Sequence, residues 1–334
     1  MTRKPPDFPN WHDISATYFM QGDSYTFPDN ASGGNGGPIP DLSCGLFLSR
    51  CLHHLNSELA SRNVTSNVEI HVAGGATQPI FNPPKQKTAL IVLADERELF
   101  NAYPLPQEYI VFKSYSEKHT ADSREHPFPV GYFDAAGSAE PVPFSERSVN
   151  VFFSGFLNRN RVDIYKQFRR IPWLPTKNLV NQHAKEIARR LVDKLCPERT
   201  FHHAFPDSRI SFTEGFAKGL NPAEYGALLA NTRIAICPPG FVSHETIRHW
   251  EAMKHGCVII SAPLPPSRFY RGAPLIELRD WSKLKSVIQE LLNDPAELLL
   301  RHESTLRWWQ DMCSEKAVAL YMANILCQAP SPQR

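Results

Sequence analysis

The chain has 334 residues, more than one hydrophobic core usually organises, and 42% of them are hydrophobic, so two domains are expected. A formal net charge of +2 gives no electrostatic basis for binding nucleic acid or a membrane, and no run of about 18 apolar residues predicts an integral membrane segment. Seven dispersed cysteines without metal-binding spacing favour a reducing compartment, so we expect a cytoplasmic protein or the soluble catalytic region of a larger one, with peripheral membrane association left open.

Strands and helices alternate through the first part of the chain. The predicted elements are a strand over 15–20, a helix over 41–62 and strands over 68–72, 88–94 and 109–112. The last two are apolar runs typical of strands that are buried on both faces. Residues 120–148 are polar, rich in proline and without a periodic pattern. We therefore place a first α/β domain at 1–148.

The same alternation continues to the end of the chain. The predicted elements are strands over 149–154, 209–212, 233–237 and 257–260, and helical stretches over 161–170, 181–194, 222–230, 281–292 and 295–327. Strands that alternate with helices predict parallel sheets with crossover helices. The sequence therefore predicts an α/β protein in which two Rossmann-like domains, 1–148 and 149–334, face each other across a cleft.

The stretch from Cys237 to Ile260 carries most of the functional signal. It runs from an apolar strand through a Pro/Gly loop into an amphipathic helix and a second apolar strand. Parallel α/β sheets bind anions at such loops. Gly240 permits close approach of a ligand, and Arg248 and Glu251 share one face near the helix start, where the arginine suits a pyrophosphate and the glutamate a ribose. The competing interpretation is a local Glu–Arg pair on a solvated helix face.

The helix and the strand after it resemble the C-terminal motif of exostosin-like glycosyltransferases. The matching residues are Thr246, Arg248, Glu251, Ala252, Gly256 and Cys257. The strand that ends at Gly155, followed by Arg159 and Arg161, is similar to the strand and loop that open the nucleotide-binding domain of that family. The resemblance covers residues 150–325 and is looser over 70–133.

This resemblance implies the GT-B fold, a nucleotide-sugar donor held mainly by the C-terminal domain, and no essential metal. It assigns Glu251 to the donor ribose and Arg248 to the diphosphate, with Arg159 or Arg161 holding the phosphates from the other side. Backbone contacts to the diphosphate are implied for Gly240, Ser243 and Thr246. Glu245 departs from the family, which has a small residue there. A carboxylate beside a phosphate is unfavourable unless it points away or binds the sugar.

An inverting transferase also needs a general base near the acceptor hydroxyl. Asp95 and Glu96 follow the buried strand over 88–94 at its carboxyl end, where such sheets place active-site groups, and they are the candidate catalytic residues. The alternative is that they cap the helix that follows and form its first turn. Glu214 follows a strand of the second domain and is a candidate donor contact or a turn residue.

These motifs predict a glycosyltransferase that moves a sugar from a nucleotide donor, expected to be a UDP-sugar, to a glycan or lipid-linked saccharide. The resemblance implies inverting, metal-independent chemistry, and the sequence has no Asp-x-Asp metal signature. No cofactor is expected beyond the donor itself. Two alternatives stay open: a nucleotide-sugar epimerase or hydrolase, and a non-catalytic GT-B protein that binds a ligand without turnover.

Overall fold

The computed structural model describes residues 16–20, 23–26, 45–64, 66–72, 83, 87–93, 95, 96, 100, 106–115, 124–168, 183, 184, 187, 200–213 and 219–328. The chain divides into two compact units. The first comprises Met1–Gly137, Pro265–Ala273 and Trp308–Arg334, and the second comprises Ser138–Leu264 and Pro274–Arg307. The helices include α1 (Gly45–Ser61), α2 (Asp134–Ser138), α3 (Val162–Phe168), α4 (Pro222–Ala230), α5 (Ile247–Lys254), α6 (Leu284–Asn293), α7 (Pro295–Trp308) and α8 (Glu315–Gln328).

The first unit contains a mostly parallel sheet. Its strands are β1 (Ala16–Met20), β2 (Asp23–Thr26), β3 (Asn67–Val72), β4 (Thr88–Leu93), β5 (Tyr109–Lys113) and β6 (Glu125–Pro127), in the order β2-β1-β3-β4-β5-β6. Strand β2 is antiparallel to β1, and the other neighbouring pairs are parallel. Every residue of β4 and β5 is buried, which explains why their continuous apolar runs predicted them.

The last helix of the chain packs in the first unit, against α1. Arg50 on α1 donates a hydrogen bond to Glu315 on α8 at 3.4 Å, and Nη1 of Arg62 donates to Asn324 at 2.7 Å. These contacts account for a difference from the predicted division after residue 148. Nothing local in the sequence of α8 indicates that it returns to the unit in which the chain begins.

The second unit contains a parallel sheet. Its strands are β7 (Val149–Phe156), β8 (Ser208–Thr213), β9 (Thr232–Cys237), β10 (Val258–Ser261) and β11 (Ile276–Glu277), in the order β11-β10-β9-β7-β8. From β7 the chain moves to β8 on one side and then crosses to β9 on the other, so the winding direction reverses between β7 and β9. Open α/β sheets bind ligands outside the carboxyl ends of the strands at such a reversal.

The predicted α/β class with parallel sheets is confirmed, and most predicted elements appear within a few residues of their expected bounds. The long helical stretch over 295–327 is interrupted by a π-helical turn at Trp309–Cys313. Only 183, 184 and 187 of the predicted helix over 181–194 are among the described residues, and they are helical. Strand β6 lies where no element was predicted. It is three residues long and ends in a proline, so it has no alternation to detect.

Candidate functional site

Two loops are tied together where the second sheet reverses its winding. One follows β7 and the other follows β9. The side-chain amide of Asn160 in the first loop donates to the carbonyls of Gly240 and Phe241 in the second, at 2.9 and 3.2 Å. Asn158 holds the backbone of Asn160 in place, because its Oδ1 accepts the backbone N–H of Asn160 at 2.9 Å. The carboxyl ends of two neighbouring strands therefore share one bonded loop pair.

Two arginines from different elements converge on Gly155, near the end of β7. Nη2 of Arg248, on α5, donates to the Ser154 carbonyl at 2.6 Å, and Nε of Arg161 donates to the Pro239 carbonyl at 2.9 Å. A Cβ atom placed on Gly155 would lie 2.8 Å from Nη2 of Arg248 and 3.1 Å from Nη1 of Arg161. A side chain at this position would push the guanidinium groups away, so the glycine is what lets both of them approach.

Both guanidinium groups also lie near the ring of Phe153. The Cζ atoms of Arg248 and Arg161 are 5.1 and 5.8 Å from its centroid. Nε of Arg248 is buried and has no hydrogen-bond partner among the described residues. Burial lowers the pKa of Arg248, but neighbouring side chains, the first of them Tyr225, outweigh burial and raise it, so the group is charged. Two like charges held this close to each other favour the binding of an anion.

The carboxylate of Glu251 supplies a negative charge beside these arginines. Its side chain is buried, and Oε2 accepts the Tyr225 hydroxyl at 2.9 Å. Burial, and then the charge of Glu251, raise the pKa of Tyr225, so the hydroxyl stays protonated and donates. The ribose contact inferred for Glu251 stays a prediction. Tyr225 on α4 was missed, because nothing in the sequence links it to a glutamate 26 residues later on another helix.

Glu245, the departure from the resembled family, has a structural partner inside its own segment. Its side chain is buried, and Oε1 accepts Nε1–H of the buried Trp250 at 3.1 Å. Its backbone N–H donates to Oγ of Ser243 at 3.0 Å. One carboxylate oxygen is therefore turned toward the tryptophan. This contact accounts for the acidic residue without a direct role in binding a phosphate.

Several backbone N–H groups of the loop are already used within it. The N–H of Gly240 donates to the Ser243 carbonyl at 2.8 Å, and the N–H of Thr246 donates to Nδ1 of His249 at 3.1 Å. Since these donors are engaged, an anion at this place would depend on the arginines more than on the backbone of Gly240 and Thr246. The backbone contacts implied by the resemblance stay a prediction.

His249 is a buried neutral ring at the start of α5. Its Nδ1 accepts the N–H of Thr246, which leaves Nε2–H to donate to Oγ of Ser261 at 2.7 Å. Burial is the main cause that lowers the pKa of His249 to about 3, and the charges of Arg248 and Arg161 lower it further. The ring thus fixes the start of the helix that carries Arg248.

The two arginines proposed as alternatives on the first loop have different environments. Arg161 is buried and donates to carbonyl oxygens of Phe156 and Pro239. Arg159 is exposed, and its Cζ lies 5.5 Å from the centroid of the half-exposed Phe241 ring. Arg161 therefore shapes the site together with Arg248, whereas Arg159 is free to move to a ligand.

The candidate bases of the first domain lie on the turn after β4. Oδ2 of Asp95 is 3.2 Å from Nζ of Lys113, and both side chains are buried. The same oxygen accepts the backbone N–H of Phe100 at 3.2 Å, so Asp95 has a structural partner within its own segment. The alternative that Asp95 and Glu96 cap a helix and form its first turn stays a prediction. Glu96 is partly buried on this turn. A catalytic role for either residue stays a prediction, and Glu214 lies outside the described residues.

Within the described part of the chain, no group of three or more His, Cys, Asp and Glu side chains is placed to hold a metal ion. None of the helices described there is both long and apolar enough to span a membrane.

No protein-family model matches the chain, and no curated protein matches it. Among solved structures it is similar to sucrose-phosphate synthase from Thermosynechococcus elongatus, with 13% identity and a TM-score of 0.39, over 89% of this chain and 82% of that one. It is also similar to AviGT4, a glycosyltransferase involved in avilamycin A biosynthesis, with 12% identity and a TM-score of 0.39, over 84% of this chain and 90% of that one. The resemblance to exostosin-like glycosyltransferases stays a prediction, and the assignments below rest on the residues of the site.

Proposed function

We propose that the protein is a glycosyltransferase whose second unit binds the diphosphate of a nucleotide-sugar donor at the reversal between β7 and β9. The observation that carries the proposal is the convergence of Arg161 and Arg248 over Gly155, with the Nε of Arg248 left without a partner. A pair of fixed guanidinium groups suits a diphosphate because their two positive charges favour the anion and the N–H donors that the carbonyl groups leave available can bond to phosphate oxygens.

The chemistry of glycosyl transfer explains why such a pair is useful. Negative charge develops on the leaving diphosphate as the bond from the anomeric carbon breaks. Guanidinium groups that are already held in place stabilise this charge without reorganising at the moment of reaction. Arg248 is held by Ser154 and Arg161 by Pro239, so both are fixed before a ligand arrives.

The finer assignments are extensions of this proposal. The donor is a UDP-sugar, and the acceptor is a glycan or lipid-linked saccharide. Transfer proceeds with inversion and without a metal ion. Glu251 contacts the ribose after its bond to Tyr225 rearranges, and Arg159 moves to the phosphates from the exposed loop.

Nucleotide binding tests the proposal directly. We expect UDP to bind to the purified protein, and Arg248→Gln to weaken that binding about 10- to 100-fold, the loss typical of hydrogen bonds to a charged group. Isothermal titration calorimetry measures both constants. The matched control is Arg209→Gln, on the exposed face of β8, which should bind UDP as the unsubstituted protein does. Equal UDP affinity of the folded Arg248→Gln and Arg209→Gln variants would refute the site.

A second candidate function is favoured by the environment of Asp95. Because that carboxylate is paired with Lys113, a protein that binds a nucleotide sugar without turnover is also consistent with the contacts of the first unit. Product analysis by mass spectrometry separates the two. A sugar transferred to a glycan acceptor from the donor that binds best supports the transferase, whereas binding without product across a panel of donors and acceptors supports the alternative.

A further inference from the structure

The segment Pro265–Ala273 belongs to the first unit, although the chain on both sides of it belongs to the second. Contacts with the C-terminal part of the chain hold it there. The carbonyl of Phe269 accepts Nε1–H of Trp308 at 2.9 Å, and the buried Phe269 ring lies edge-on to Tyr321, on α8, at 5.8 Å between centroids. The segment is therefore anchored at its centre.

Beside this anchor are two buried polar atoms that nothing satisfies. Within the described part of the chain, Oγ of Ser267 and Nη1 of Arg268 have no hydrogen-bond partner. The Ser267 side chain is 8% exposed. The guanidinium of Arg268 lies against aromatic rings, with its Cζ 4.1 Å from the centroid of Tyr321 and 5.4 Å from that of Phe269.

Arg147 shows how the same protein satisfies a buried arginine that has a structural role. Its Nε donates to the Val142 carbonyl at 3.0 Å, Nη1 to that of Thr232 at 2.6 Å and Nη2 to that of His255 at 2.6 Å. Each of its three nitrogens has an acceptor. Arg268 differs, because its Nη1 is equally removed from water and has none.

Among the described residues, no carboxylate is a cause of the pKa shift of Arg268. Burial is the main influence on the pKa of Arg268 and lowers it, and the side chains that oppose burial are Tyr321 and Cys313, neither of which is a carboxylate. A buried donor without a partner is unfavourable unless a ligand accepts its hydrogen bond, and an anion suits the donor of a partly buried cation. An oxyanion would both neutralise the charge and accept the free N–H, and the Ser267 hydroxyl could donate a second bond to it.

We propose that Ser267 and Arg268 form a second oxyanion-binding site, in the first unit and separate from the arginine pair of the second. Its ligand is a carboxylate or phosphate group. Since the segment belongs to the first unit, the ligand that extends the proposed function is an acidic acceptor saccharide, either a uronic acid or a sugar phosphate. That identification rests on the proposed function, whereas oxyanion binding itself does not.

Titrations with sodium phosphate, sodium glucuronate and neutral glucose, at constant ionic strength, test the site in the full chain. We expect Arg268→Gln to weaken glucuronate binding about 10- to 100-fold. Added to Arg248→Gln, it should also remove the phosphate binding that remains in that variant. Glucose should not bind at the same concentrations. Loss of only the phosphate response in Arg268→Gln would identify a phosphate site, and loss of only the glucuronate response a carboxylate site.

The control is Arg271→Gln. The Arg271 side chain is exposed and donates to the Pro266 carbonyl. It should bind both anions as the unsubstituted protein does. If Arg268→Gln destabilises the fold, Arg268→Lys keeps the charge and should retain partial binding. Unchanged anion binding by folded Arg268→Gln would overturn the inference. Loss of anion binding in Arg268→Gln alongside normal UDP binding in Arg248→Gln would overturn the proposed function and leave this site standing.

Discussion

The two sheets of the protein place charged side chains at the carboxyl ends of their strands in opposite ways. In the first sheet, Lys113 at the end of β5 pairs with Asp95 just beyond β4, so a buried cation meets a buried anion at 3.2 Å. In the second sheet, two cations, Arg161 and Arg248, meet over Gly155. One arrangement neutralises itself, and the other leaves a charge for a ligand.

The two sheets also differ in the order of their strands. The parallel strands described in the first sheet follow one another in chain order, from β1 through β6. In the second sheet the order reverses between β7 and β9, after which the chain continues to opposite sides of the sheet, and folds of this kind bind ligands at such a reversal. Buried charge at a strand end is therefore not by itself evidence of a binding site. Whether the charge is balanced, and whether the winding reverses there, decide the interpretation.

The largest effect is expected from removing one charge of the buried Asp95–Lys113 pair in the first unit. Asp95→Asn would remove the carboxylate that pairs with the buried Lys113, and we expect the free energy of unfolding to fall by about 3–5 kcal/mol. Urea denaturation followed by circular dichroism measures the change. The double substitution Asp95→Leu with Lys113→Met should lose less than the single one, because it leaves no unpaired charge.

The control for Asp95→Asn is Asp163→Asn, which breaks a solvent-exposed pair with Lys166 on α3. We expect a loss below about 1 kcal/mol there, since water screens the exposed charges. Equal losses from Asp95→Asn and Asp163→Asn would mean that the Asp95–Lys113 pair is not a balanced buried pair, and the candidate catalytic role of Asp95 would gain support.

The second sheet can be tested by filling the space between its cations. Gly155→Ala places a methyl group 2.8 Å from Nη2 of Arg248, so the guanidinium groups must move. We expect a stability loss of about 1–3 kcal/mol from overpacking, together with loss of UDP binding. In Gly219→Ala, the control, the nearest atom is a methyl group of Thr213 at 3.7 Å, and UDP binding should not change. Full UDP affinity in Gly155→Ala would remove the arginine pair from the site.

For the second unit, the sequence named candidate site residues but not the contacts that organise them. Arg161, Arg248 and Glu251 were all identified, because a strand, a Pro/Gly loop and a helix are continuous in the chain. Their partners were not. The link between Arg248 and the Ser154 carbonyl joins residues 94 apart, and Tyr225 reaches Glu251 from another helix, so no local pattern reports either contact.

In the first unit, the candidate residue Asp95 was predicted from its position rather than from its partners. Asp95 was selected because it follows a buried strand at its carboxyl end, and that position is correct. The sequence could not show that Lys113 would be paired with it, because the register of β4 and β5, which sets Val92 beside Lys113, is a property of the folded sheet. The same holds for α8, whose return to the first unit depends on contacts with α1.

The buried His249 beside the arginines should make the free energy of unfolding depend on pH. The pKa of His249 is lowered to about 3 in the folded protein, against an unfolded value of 6.5, so the unfolded chain binds the proton more readily as the pH falls below 6.5. Stability should therefore decrease by roughly 2 kcal/mol between pH 6.5 and pH 5 from this residue. His249→Asn should flatten that part of the curve of unfolding free energy against pH. Parallel curves for the two proteins would contradict a neutral buried ring.

A smaller effect is expected at the hydrogen bond between Tyr225 and the carboxylate of Glu251, which carries the negative charge of the second site. Tyr225→Phe removes the hydroxyl that donates to Oε2 of Glu251 at 2.9 Å and should reduce stability by about 1 kcal/mol. A double-mutant cycle with Glu251→Gln isolates the pair, because the coupling energy vanishes if the two side chains act independently. UDP affinity, measured in the same four proteins, separates two roles. If Tyr225 only stabilises the fold, its removal lowers stability and leaves affinity unchanged. If it sets the position of Glu251 and Arg248 for the ligand, affinity falls with it, and the balance of charge at the reversal becomes a property of three residues rather than two.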